Sequence, residues 1–301
     1  MRILISGASG LIGSALATEL SAQGHKVSRL VRRAARDANE IEWHPGSLPL
    51  PAGVIDQFDV VVNLAGATTG KLPWTSKYKR ELIESRLDST STLVDAMRSA
   101  NTRPKVFLSG SASGFYGDTG DRDCVESDDR GTGFLSDLAV AWEAEAFKAP
   151  SEVRVVTLRT TMVLSRRLGA LGRLLPILRA GLGGPLGSGK QWWAFISLQD
   201  EAAAIIHLIN SPSASGAYNL TAPEPATCAQ IVKSLAKGLR RPALLQVPSF
   251  AMKLLIGEAA VELLLCSQKM KADRLLATGF KFSHPTLEQA TAYVLSDELP
   301  S

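Results

Sequence analysis

The sequence predicts an α/β protein, a doubly wound parallel sheet of the Rossmann kind with a smaller, helix-rich C-terminal domain. Three observations carry this. In the first half, short β-branched apolar runs alternate with longer segments of helical period, the pattern of a parallel sheet covered by helices. The first apolar run opens at once into a glycine triplet, Gly7, Gly10 and Gly13, and then a helical segment. A chain of 301 residues that is 45% hydrophobic and 21% charged has enough apolar surface for one large domain with an appendage.

The first strand is expected at residues 2–6, an apolar run too short for a helix and ended by glycine, with a helix over 11–23. Strands follow at 26–31, 41–43 and 59–64. The long segment 74–100 reads as a helix because Leu82, Leu87, Leu93, Val94 and Met97 recur at three-to-four spacing. A strand at 105–109, a helix at 134–147 and a strand at 154–159 complete the first part. After Arg166 the composition changes: the loop signal from Gly181 to Gly189 precedes a helix-rich remainder with few strand signals, which places a dinucleotide-binding domain at 1–166 and a smaller substrate domain at 167–301. The Gly/Pro segments at 211–216, 221–227 and 283–286 separate helices rather than domains.

Several function classes are excluded as expectations. The most apolar stretch, 251–266, is broken by Lys253, Glu258 and Glu262 and falls short of the roughly 20 residues a membrane span needs. The N-terminus lacks the apolar core of a secretory signal, so a cytoplasmic protein without a membrane partner is expected. Cys124, Cys228 and Cys266 are far apart, and His25, His44, His207 and His284 show no ligand spacing, so neither disulfide nor metal is expected. A net charge of +4 is too weak to argue for nucleic acid.

The glycine triplet carries the first chemistry. In a strand–turn–helix setting, Gly7 and Gly10 permit a tight turn and close backbone approach to a pyrophosphate, Gly13 lets helix and strand pack closely, and the helix N-terminus offers free N–H groups to the anion. The next strand should end beside an adenosine ribose, where an acidic residue would accept from the 2′-hydroxyl; here the chain reads Leu30-Val31-Arg32-Arg33. Two guanidiniums and no carboxylate suit a 2′-phosphate, so NADP is expected in preference to NAD, with Arg32 the first choice for the contact and Arg33 the second. Asn63-Leu64-Ala65-Gly66 supplies small residues at a strand end where bulk would collide with a bound cofactor.

These motifs, together with Leu108-Ser109-Gly110-Ser111-Ala112-Ser113-Gly114-Phe115-Tyr116-Gly117-Asp118, resemble the extended short-chain dehydrogenase/reductases, the superfamily of nucleotide-sugar epimerases and dehydratases. The segments from Pro185 to Trp192, Asn219 to Pro225, Leu239 to Pro248 and Gln268 to Leu287 are similar to a poorly characterised NAD(P)-binding epimerase-like branch with its own C-terminal extension, some members of which are labelled as related to cell-division inhibitors. The resemblance covers nearly the whole chain. It implies cofactor contacts at Ser9, Gly10, Leu11 and Ile12 (phosphates), Arg32 (2′-phosphate), Leu64 and Ala65 (adenine and ribose), and Glu81 and Arg86. It also implies a homodimer formed through helices such as 74–100 and 134–147.

The departures from the superfamily bear on catalysis. Its redox chemistry uses a Tyr-x-x-x-Lys pair, in which lysine lowers the tyrosine pKa so that the phenol shuttles a proton. Alignment on Trp142-Glu143 places Leu135 and Ala139 at those positions, and no Tyr-x-x-x-Lys occurs anywhere in the chain. Ser111 falls where the resemblance puts the donor to the substrate carbonyl, with Ser109 and Ser113 as close competitors, and Tyr116 is the one nearby phenol that stands as a replacement acid. Ser197 and Gln199 occupy positions where members commonly carry His and Asp. Two functions follow as expectations: an NADP(H)-binding oxidoreductase or epimerase-like protein acting on a small polar substrate, or a dinucleotide-binding sensor or scaffold that has lost the catalytic pair.

Overall fold

The computed structural model describes residues 1–165 and 170–296, so the expected boundary between 166 and 167 lies outside the described residues. In chain order the strands are β1 (Arg2–Ser6), β2 (Lys26–Val31), β3 (Glu40–Glu42), β4 (Val60–Asn63), β5 (Val106–Ala112), β6 (Asp123–Cys124), β7 (Arg154–Thr160), β8 (Met162–Leu164), β9 (Phe195–Ser197), β10 (Gly216–Leu220) and β11 (Lys269–Met270). The α-helices are α1 (Leu11–Ala22), α2 (Ser76–Ser99), α3 (Phe134–Ala146), α4 (Ala170–Arg179), α5 (Leu198–Asn210), α6 (Cys228–Gly238), α7 (Ser249–Ile256), α8 (Asp273–Ala277) and α9 (Leu287–Leu295).

Seven strands form one parallel sheet in the order β10-β7-β5-β4-β1-β2-β3, with β8–β9 and β6–β11 as separate two-stranded ribbons. The strand order reverses at β1, which lies between β4 and β2, so the crevice of a doubly wound sheet opens beyond the C-terminal end of β1. The all-apolar character of Ile3-Leu4-Ile5 is explained by burial on both faces of a central parallel strand, where all three are 0% exposed. Ile3, Ile5, Val62 and Leu108 pack with α1 and α5 on one face. Leu4, Val61 and Phe107 pack with Leu93, Val94 and Met97 of α2 on the other.

The expected strands and helices of the first half are all present, most with ends shifted by one to three residues. The C-terminal half differs from expectation: it supplies β10, the seventh strand of the main sheet, paired with β7. The sheet therefore extends past residue 166. Its Gly-Ala-Tyr-Asn-Leu sequence has no β-branched residue and only Tyr218 favours a strand, so propensity gave a weak signal, and pairing with an existing strand edge decides the conformation. α5 and α8 of this half join the core of the main sheet, and α4, α6 and α9 build a second core with Leu175, Ile231, Leu235 and Val294 buried. Among the described residues no helix is long and apolar enough to cross a membrane.

Candidate functional site

At the head of β1 the chain turns through Gly7 at φ +71°, a left-handed conformation that glycine adopts without strain. Space demands glycine there as well, since a Cβ on Gly7 would lie 2.4 Å from the Leu64 carbonyl oxygen. A Cβ on Gly13 would lie 2.3 Å from the Gly7 carbonyl oxygen, so this glycine sets how closely α1 crosses its own turn. Gly10 differs: its Cβ would meet only that carbonyl, at 3.2 Å, leaving the outer side open toward the crevice. Gly10 is the N-cap of α1, no side chain caps it, and no acidic residue stands in the first turn, so the helix presents its leading amides to an anion. Ser9 and Gly10 are exposed and Leu11 and Ile12 half-buried around this opening.

The two arginines after β2 have different roles. Arg33 is held by Glu40, Nη1 to Oε2 at 2.7 Å and Nη2 to Oε1 at 2.6 Å, and the Arg33 guanidinium brings the Glu40 carboxyl down to about 2. Arg32 is exposed and has no ion-pair or hydrogen-bond partner among the described residues. Of the pair expected at a 2′-phosphate, Arg32 is free to meet it.

Beyond β4 the small residues fold back over the sheet. Asn63 is fully buried; its Oδ1 accepts from Ser6 and from the Ala65 amide, and its Nδ2 donates to Thr90 Oγ1 at 2.9 Å, fixing the turn Leu64-Ala65-Gly66. Arg86 of α2 lies against Gly66, where a Cβ would sit 3.2 Å from its guanidinium carbon. The guanidinium donates to the Leu82 carbonyl at 3.0 Å and lies over Trp142 at 5.1 Å, but no carboxylate pairs with it among the described residues, and burial draws its pKa down to about 10. Glu81, one turn earlier, is exposed.

The serine-bearing end of β5 rests on a buried network that sequence reading did not anticipate. Glu143 of α3 and Arg159 of β7 form an ion pair with Nε to Oε1 at 2.9 Å and Nη2 to Oε2 at 3.0 Å, both side chains under a tenth exposed. Ser111 donates to Glu143 Oε1 at 2.6 Å. Arg159 Nη1 donates to the Tyr116 hydroxyl at 2.9 Å, and that hydroxyl donates to Asn219 Oδ1 at 2.7 Å. A charged residue within the largely apolar run Val155-Val156-Thr157-Leu158-Arg159 was the available signal, because a buried arginine requires a partner.

Tyr116, expected as a replacement acid, is held by these contacts. It is 1% exposed, both its donor and an acceptor position are used, and burial pushes its pKa up to about 12, so its hydroxyl is engaged within the fold. Ser111 is 5% exposed and its proton points to Glu143. Ser109 is fully buried, whereas Ser113 is half-buried and without a side-chain partner among the described residues. Leu135 lies against this strand end, where a Cβ on Gly114 would come 2.8 Å from its own Cβ, and Ala139 is buried. No proton carrier stands at either position. The C-terminal extension closes over the same helix end: Glu262 accepts from the amides of Phe134 and Leu135, and Glu258 pairs with Lys79. Ser197 caps α5 and joins Asp200 to His284.

Residues 3–221 match the model of the NAD dependent epimerase/dehydratase family, and residues 247–294 match a domain of unknown function, DUF1731. The chain is 40% identical over 292 residues to an epimerase family protein of Mycobacterium leprae, covering 97% of this chain and 94% of that one. It is 32% identical over 300 residues to the epimerase family protein SDR39U1 of Bos taurus, covering 98% and 100%. Among solved structures, human epimerase family protein SDR39U1 (isoform 2) with NADPH superposes at a TM-score of 0.90 with 32% identity, over 99% of this chain and 100% of that chain. A nucleoside-diphosphate sugar epimerase from Corynebacterium glutamicum gives 0.80 at 28% identity, over 98% of this chain and 58% of the other.

Proposed function

The chain belongs to the NAD dependent epimerase/dehydratase family, and from that premise we propose that it is an NADP(H)-binding oxidoreductase or epimerase-like protein acting on a small polar substrate. The observation that carries the cofactor reading is a pair of guanidiniums without carboxylate partners among the described residues, Arg32 at the end of β2 and Arg86 beside Gly66, flanking the glycine turn at the N-terminus of α1. Oriented amides and these two cations at one sheet edge form a cradle for phosphate, and an exposed arginine, with the nearby Glu40 carboxylate already engaged by Arg33, favours the 2′-phosphorylated cofactor. The human structure with NADPH supports this choice.

The residues fit a dinucleotide. Gly7 and Gly13 keep the turn tight, Gly10 leaves its outer face open, and the leading amides of α1 together with Arg86 would hold phosphate. Leu64, Ala65 and Gly66 would border the adenine and ribose. When bound, such a cofactor supplies hydride chemistry. This chain's own residues position a substrate: Ser113 has a free hydroxyl to donate to a developing oxyanion, and Ser111, held by Glu143, offers lone pairs to a substrate hydroxyl. Leu135 makes the wall apolar where the superfamily's phenol would stand.

Titration calorimetry with NADPH and NADH tests the reading. NADPH should bind more tightly, and Arg32→Glu should remove the preference by weakening NADPH by about 1.5–3 kcal/mol, a charge-assisted hydrogen bond, while affecting NADH far less. Equal affinities for the two cofactors would refute the choice of NADP, and binding of neither would refute the reading as a whole.

A further inference from the structure

Glu201 is a carboxyl only half satisfied by the fold. It stands in the first turn of α5, is fully buried, and accepts at Oε1 from Thr160 Oγ1 at 2.7 Å, whereas Oε2 has no hydrogen-bond partner among the described residues. Thr160 is the last residue of β7 and lies in register with Ala112, the last residue of β5. It is half-buried, so its hydroxyl lies between the hidden carboxyl and the sheet's C-terminal edge.

The topology says which part of a dinucleotide meets that edge. The strand order reverses at β1, with β2 and Arg32 on one side and β4, β5 and β7 on the other. A cofactor that crosses the switch point with its 2′-phosphate toward Arg32 extends its nicotinamide half over the ends of β4, β5 and β7. Thr160 belongs to that half, and Glu201 stands directly behind it.

Nothing nearby neutralises this carboxyl among the described residues. The elements packed on α5 carry few charges: α1 has only the exposed Glu19, and β8 and β9 have none. On β7, Arg154 donates to the carbonyls of Leu208, Ile209 and Ala214, and Arg159 is paired with Glu143. On α5 itself, Asp200 is bonded to Ser197 and the 283–284 backbone, and His207 to Thr278. Burial thus pushes the Glu201 carboxyl up to about 8, opposed only by the Thr160 hydroxyl.

Building on the NADP(H) reading above, we propose that Glu201, acting through Thr160, is the residue by which this protein distinguishes oxidised from reduced cofactor. Its carboxylate form favours the cationic oxidised nicotinamide, and its protonated form favours neither redox state. The sign follows from charge: above the carboxyl's pKa an anion stands behind the ring, which stabilises a positive ring and leaves a neutral dihydronicotinamide nearly unaffected. NADP+ binding should therefore release a proton near neutral pH, and NADPH binding should not.

The test is the dissociation constants of NADP+ and NADPH for the full chain from pH 6.5 to 9.5. The 2′-phosphate titrates in both cofactors and cancels in their ratio. Kd(NADPH)/Kd(NADP+) is expected to rise up to about tenfold with pH if binding NADP+ lowers the carboxyl pKa by about one, with the midpoint half-way between the free value of about 8 and the lower value in the complex. Glu201→Gln should make the ratio flat. Thr160→Val keeps the carboxyl but removes the bond that favours its ionised form, so its midpoint should move to higher pH; this variant decides the matter if Glu201→Gln does not fold. A flat ratio in the unchanged protein while both cofactors bind would overturn the proposal and leave the NADP(H) reading standing. A rise that persists in Glu201→Gln, or a Thr160→Val midpoint that does not move, would also overturn it. Absence of binding by either cofactor at every pH would remove both.

Discussion

Replacing Arg86 with methionine should move stability and cofactor affinity in opposite directions. The guanidinium is desolvated without a carboxylate partner, and its pKa of about 10 corresponds to an upper bound of ~3 kcal/mol of unfavourable desolvation in the cofactor-free fold. Against this stand the hydrogen bond to the Leu82 carbonyl and the contact with the Trp142 ring, together about 1–2 kcal/mol. Methionine keeps most of the aliphatic stem beside Gly66. The net expectation is stabilisation of the cofactor-free protein by about 1–2 kcal/mol, read as an increased urea midpoint, or a Tm higher by roughly 2–6 °C for a chain of this size. The same change removes a positive charge from the cradle and should weaken NADPH by about 1.5–3 kcal/mol, tenfold or more. Urea unfolding without cofactor and calorimetry with NADPH measure the two halves. A destabilised variant with unchanged NADPH affinity would show that Arg86 serves the fold alone and would refute the reasoning.

Two further perturbations follow from the same geometry. Gly10→Val should fold and lose NADPH, because its Cβ meets only one carbonyl of the protein while the side chain fills the approach to the phosphates, whereas Gly7→Ala should lower Tm as well, being forced both into positive φ and against the Leu64 carbonyl; near-native NADPH affinity in Gly10→Val would sink this reading of the turn. Arg159→Met should cost about 3–5 kcal/mol in urea unfolding by stranding the buried Glu143, and adding Glu143→Leu should recover most of the loss. A single variant within 1 kcal/mol of the parent protein would show the pair to be more solvated than its burial indicates.

The sequence by itself determined the elements whose signals are local. Ile3-Leu4-Ile5 leading into three spaced glycines specifies strand, turn and helix, because positive φ, close backbone approach and an uncapped helix end are properties of a few consecutive residues. The same holds for the period of α2 and for the absence of any carboxylate at Leu30-Val31-Arg32-Arg33. What depends on residues far apart in the chain was decided only by the tertiary structure. Which arginine is free was settled by Glu40 reaching back to Arg33 from β3. The surroundings of Tyr116 were decided there too: its hydroxyl is held by Arg159 and by Asn219, 103 residues away, and a phenol's readiness to give up a proton depends on its partners and burial rather than on its place in a motif. β10 has little propensity of its own and pairs with the edge that β7 offers. Glu201 reads in the sequence as an ordinary charge in the first turn of a helix; only the packing of α5 on the sheet makes it a buried carboxyl with a single partner, and burial is set by the whole fold.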